Sequence, residues 1–178
     1  LGTGLDPQKE RAAWKEYPRS YQKILEEAYE SFLEKPQAWD ILLTQAAEKL
    51  HLHLPTHLQA SMIVQLEIVM RADYRVRILK HFDQAGVKVT IMGNHWEHAK
   101  FKNHEIHPSV EFHDALKLIC KSKVALNASP QFFCGTHERV FAAMLNGSLA
   151  MTSSSDYYKE RFKDEEHYLS YNLNTLPD

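Results

Sequence analysis

Three loops hold the residues whose types and spacing suit chemistry. The first is Gly93-Asn94-His95-Trp96-Glu97-His98. There Gly93 allows backbone to approach a ligand closely, Asn94 adds a polar group and Trp96 offers a face on which a flat ring can stack. Its alternative reading is a polar loop pinned by one tryptophan. The second is Ser129-Pro130-Gln131-Phe132-Phe133-Cys134-Gly135-Thr136-His137-Glu138-Arg139, which leaves a buried strand and enters a helix. Ser129 follows the strand, Gly135 permits close approach, and Thr136 can cap the helix that begins near it. The free N–H groups of a first helical turn form a positive site for phosphate oxygens, and His137 and Arg139 add donors. Glu138 suits the helix dipole but repels phosphate, so it fits better as an acceptor for a hydroxyl. Capping explains Thr136 and Glu138, but it does not explain three consecutive polar or ionisable groups. The third loop, Thr152-Ser153-Ser154-Ser155-Asp156, offers hydroxyls and another helix start, a composition that ordinary turns share.

Other chemistries find less support. His95, His98, His104 and His107 fall at spacings of three, six and three, and a His-x-x-His pair can give zinc two ligands. No cysteine lies nearby and the His-Glu-x-x-His helix signature is absent, so no metal is expected. Cys134 and His137 lie three apart across a helix start, a spacing that does not by itself align a thiol with its base. Neither G-x-G-x-x-G nor G-x-x-x-x-G-K-[ST] occurs, so a phosphate-bearing ligand must be held in another way.

These loops need a scaffold, and 178 residues suit one domain or one domain with an extension. Apolar residues at 44% and charged residues at 25% predict a folded core. The net charge of −2 gives no basic field for a nucleic-acid backbone. Apolar runs are far shorter than the roughly 20 residues that span a bilayer. Two cysteines and no signal peptide point to a reduced, cytoplasmic setting. The opening Leu1-Gly2-Thr3-Gly4 lacks methionine and reads as a trimmed start without structural weight.

The chain changes character near Gly86. Residues 1–85 read as a helical extension: Tyr21, Ile24, Leu25, Ala28 and Phe32 share one helical face, and Trp39, Leu42, Leu43, Ala46, Ala47 and Leu50 share another. A long helix, or two joined ones, is predicted from about His57 to Gln84. Residues 86–178 alternate short apolar runs with amphipathic segments, the pattern of β-α-β units around a parallel sheet. Strands are predicted at Val87–Met92, Val110–Phe112, Val124–Asn127, Leu149–Thr152 and Tyr168–Tyr171. Helices are predicted through about Ser122, from near Thr136 to Gly147, and over Asp156–Phe162. In such sheets ligands bind beyond the carboxyl ends of the strands, where the three loops lie.

The run Ser122-Lys123-Val124-Ala125-Leu126-Asn127-Ala128-Ser129-Pro130, then Gly135-Thr136-His137-Glu138-Arg139-Val140-Phe141-Ala142-Ala143-Met144-Leu145-Asn146-Gly147, resembles the donor-binding half of group 1 glycosyltransferases. It is most similar to their spore-maturation-protein-like branch, with S-K-x-x-L-N-x-S-P, G-x-H-E/D-R-x-F and A-M-x-x-G. Gly93-Asn94 with Trp96, and Tyr157 to Phe162, look like that branch too. The resemblance covers roughly residues 86–172. It implies an α/β fold, the Rossmann-like parallel sheet of a GT-B carboxy-terminal half, preceded here by the α-helical extension. It also implies a hexosyltransferase-like enzyme whose nucleotide-diphosphate sugar is substrate, with no cofactor or metal. The acceptor side would belong to an amino-terminal domain missing from this chain, so this fragment alone should transfer no sugar. Ala142 stands where group 1 enzymes commonly place a ribose-binding glutamate, and Glu138, one turn earlier, is a possible substitute. The rival readings are a non-catalytic binding or scaffold module and a helical protein-interaction module carried by residues 5–85.

Overall fold

The computed structural model describes residues 2–173. They form two compact units, Leu5–Asp73 and a second made of residues 2–4 with the chain from Tyr74 onward. The division falls inside a helix, ahead of the composition change at Gly86.

The first unit holds α1 (Pro7–Ala12), α2 (Arg19–Glu34), α3 (Trp39–Lys49) and the first part of α4 (Thr56–Gln84). Asp6 caps α1 by accepting from the Gln8 N–H, with Pro7 at the first helical position where its missing N–H costs nothing. Ile24, Leu25, Ala28 and Phe32 of α2 are buried, as are Leu42, Leu43, Ala46 and Ala47 of α3. Phe32 and Trp39 join the two helices with ring centroids 4.9 Å apart. Each large apolar side chain so buried contributes about 1.5–3 kcal/mol. The large apolar residues left exposed in this unit are Ile41 and Val64, with none on α2.

The second unit is α/β, as the alternation predicts. β1 (Thr90–Met92) pairs in parallel with β2 (Glu105–His107). β3 (Val124–Asn127), β4 (Leu149–Ser153) and β5 (Leu169–Tyr171) form a parallel three-stranded sheet in that order. The connections carry α5 (Phe112–Lys121), α6 (Glu138–Leu145) and α7 (Asp156–Arg161). Ile119, Val140, Ala143 and Tyr158 pack with Ala125, Ala150 and Tyr168 into the core. Gly86 ends α4 and Gly147 ends α6 at φ of 71° and 74°, left-handed geometry that glycine adopts without a Cβ penalty.

The structure corrects three local expectations. The first strand covers only Thr90–Met92. Val110–Phe112 is not a strand, because Phe112 opens α5 and the strand lies earlier, at Glu105–His107. All three β2 residues are exposed, so that edge strand lacks the alternation by which strands are read. The opening residues do have a structural role: the Gly2 N–H donates to the Met92 carbonyl at 3.1 Å and the Gly4 N–H to the Asn94 carbonyl at 2.8 Å. Among the described residues, no helix is long and apolar enough to cross a membrane.

Candidate active site

The second loop approaches α6 in an extended conformation held by Tyr158 of α7. The Tyr158 hydroxyl lies 2.6 Å from the Thr136 hydroxyl and accepts the His137 N–H at 3.2 Å. The helix therefore starts at Glu138, two residues after Thr136, and His137 is its cap, with Nδ1 accepting from the Arg139 N–H at 3.2 Å. This corrects the capping role expected of Thr136. The Glu138 N–H is left without a protein acceptor among the described residues, as the first turn of a helix requires.

A cavity of about 370 Å³ opens where α6 begins. Met92, the last residue of β1, and Gly93 and Asn94 just after it contribute to the lining. Glu138, Arg139 and Ala142 of α6 also line it, as do Ser109, Val110, Phe112, Ala115 and Ile119, together with Gly2 and Thr3. Asn94 and Ser109 tie two loops together: the Asn94 side-chain Nδ2 donates to the Ser109 hydroxyl at 3.1 Å, and the Ser109 N–H donates back to Asn94 Oδ1 at 3.2 Å.

Arg139 supplies the cavity's positive charge. One guanidinium nitrogen donates to Asn127 Oδ1 at 3.1 Å, and the other donors have no protein acceptor among the described residues. Burial lowers its pKa and the neighbouring Glu138 carboxylate opposes that shift, yet a guanidinium stays protonated near neutrality. Asn127 is buried at the end of β3. It also accepts from the Ser129 hydroxyl and donates to Thr152 at 3.0 Å, so a satisfied network fixes the arginine's anchor. His137 has its pKa lowered, first by burial and then by the Arg139 cation, while Glu138 pulls the other way. Glu138 Oε2 lies 2.9 Å from the same Nδ1 that caps α6. A neutral Nδ1 can serve only the cap, which leaves the exposed Glu138 carboxylate for another donor. A half-buried cation and a first-turn amide can bind an anion and stabilise charge developing on it, while the exposed Glu138 carboxylate can accept from a hydroxyl.

The cavity brings Gly93, Asn94, Glu138 and Arg139 together. It does not include Trp96, Ser129, Gly135, Thr136 or His137. Trp96 is buried, its indole N–H donates to the Gly2 carbonyl at 3.0 Å, and a Cβ on Gly4 would overlap its ring. No face remains for a ligand, which corrects its stacking role. Gly93 is likewise spent on protein: a Cβ there would overlap the Gly2 carbonyl. Ser129 is turned inward to Asn127. In the third loop, Thr152 serves Asn127 and Ser155 caps α7, accepting from the Tyr158 N–H. Cys134 Sγ points to Asp156, 3.7 Å away, rather than to His137. His104 is held by backbone on both ring nitrogens, by the Val89 N–H and the Leu79 carbonyl, and no group of three or more His, Cys, Asp or Glu converges among the described residues. Sequence reasoning missed Asn127 and Phe112 as site residues. An asparagine ending an apolar strand was the available signal for the first, since a buried amide must find partners.

Residues 71–175 match the family described as Glycosyl transferase-like. Neither the curated proteins nor the solved structures include a match to this chain. The matched stretch contains all five strands and every cavity residue except Gly2 and Thr3. Because that match covers more than half of the 178 residues, the chain belongs to the glycosyl transferase-like family.

Proposed function

We propose that the 370 Å³ cavity binds the diphosphate and ribose of a nucleotide-activated sugar, making this unit the donor-binding half of a GT-B glycosyltransferase of the spore-maturation-protein-like branch. The observation that carries the reading is the meeting of Arg139 and the start of α6 with the loop after β1. Arg139 and the first-turn amide would hold the diphosphate and stabilise its charge as the glycosidic bond breaks, which is electrostatic rather than covalent catalysis. Glu138 would accept from a ribose hydroxyl. Ala142 lines the same cavity one helical turn away, so the carboxylate that the resemblance expects at Ala142 has a neighbour able to replace it. A second Rossmann-like domain would carry the acceptor, and neither metal nor cofactor would be needed.

Calorimetric titration with UDP, GDP and inorganic pyrophosphate tests the reading. Arg139→Ala should weaken all three by about 1–3 kcal/mol, the range for a lost charge-assisted hydrogen bond, with the fold retained because Asn127 keeps its Ser129 and Thr152 partners. Absence of heat and of chemical-shift change at millimolar ligand in the wild-type chain would overturn it.

A further inference from the structure

The cavity lining combines two chemistries: Glu138 and Arg139 of α6 bring charge, while Val110 and the α5 residues Phe112, Ala115 and Ile119 bring apolar surface. Among the described residues that line the cavity, Phe112 is the only aromatic one, and it is 63% exposed, with Val110 at 38%. Leaving a phenylalanine in water forgoes burial worth several hydrogen-bond equivalents, so an open ring at the rim of a ligand-sized cavity is an unused contact surface. Phe112 is the first residue of α5, and the Asn94–Ser109 bonds brace the loop that leads to it.

We infer that Phe112 is the platform on which the nucleobase of the donor stacks, the role that its sequence suggested for Trp96. The inference rests on the proposed diphosphate site, since the phosphates bound near Arg139 are what would bring the base to that apolar surface. Stacking reads the flat face that every base has, and not its hydrogen-bonding edge. The platform therefore distinguishes nucleotide from bare diphosphate while treating uracil and guanine much alike.

The test uses the whole 178-residue chain and the variants Phe112→Ala, Phe112→Leu and Phe112→Trp, titrated with UDP, GDP and inorganic pyrophosphate. Leucine keeps apolar bulk and removes the aromatic face, so it answers the question even if alanine disturbs the start of α5. Loss of stacking should weaken UDP and GDP about tenfold in the alanine and leucine variants, leave pyrophosphate within about twofold, and spare the tryptophan variant. Unchanged UDP affinity in folded Phe112→Ala and Phe112→Leu, or an equal loss for pyrophosphate, would overturn the platform. Wild-type binding of pyrophosphate with no gain for either nucleotide would also overturn it while leaving the anion site standing. Failure of all three ligands to bind would remove the diphosphate reading itself.

Discussion

His137 sets the local pH response of the site. Its folded pKa lies below the usual histidine value, chiefly through burial and the Arg139 cation, so the unfolded chain takes up a proton at higher pH than the folded one does. The corresponding stabilisation is complete above the ordinary value near 6.5 and is lost as pH falls through the folded value. Protonation also occupies the lone pair with which Nδ1 caps α6 and turns that nitrogen toward Glu138. Urea unfolding at pH 7 and pH 5 should show this as an acid-side loss in the wild type that is smaller in His137→Asn, since asparagine caps without titrating. Equal pH dependence of the two proteins would exclude His137 as its source. At this scale the side-chain types were legible and their directions were not. Arg139 and Glu138 reach the cavity, whereas Thr136 and His137, adjacent in sequence, are held by the Tyr158 hydroxyl contributed from another helix.

Elements separate two glycines that look alike in sequence. Gly93 follows β1, where a Cβ would overlap the Gly2 backbone and come within 3.1 Å of the Trp96 indole nitrogen. Gly135 precedes α6, and a Cβ there meets only a Phe132 ring carbon at 3.4 Å, an ordinary contact. Gly93→Ala should therefore cost roughly 1–3 kcal/mol, as overpacking does, because the paired segment of residues 2–4 must move. Gly135→Ala should stay within about 0.5 kcal/mol. Chemical denaturation of both variants checks the contrast, and similar losses would contradict the pairing of Gly2 with Met92. Elements with strong local signals were legible, among them α2, α3, α4, β3 and β4. β2 was not, since its residues face solvent and carry no alternation.

For the molecule as a whole, the proposed function predicts binding without turnover. The cavity lies within one α/β unit, and the other described unit is helical, so neither supplies the second Rossmann-like wall that the GT-B reading requires for an acceptor. Incubation of this chain with UDP- or GDP-sugars and simple hydroxyl acceptors should release no nucleoside diphosphate above the uncatalysed level, and sustained release would refute the two-domain argument. The sequence by itself determined the helical first part, the parallel α/β second part and the family resemblance. The helical and α/β parts follow from periodicity, caps and breakers that act among residues a few positions apart, whereas the resemblance rests on the motif residues of 122–130 and 135–147. Only the tertiary structure decided which loop residues share a cavity, because that choice depends on partners distant in the chain. Gly2 and Gly4 cover Trp96 and crowd Gly93, Asn127 anchors Arg139 from β3, and the turn into α5 leaves Phe112 open. Burial and hydrogen-bond satisfaction across those separations, which no local window contains, assign each side chain to the core or to the site.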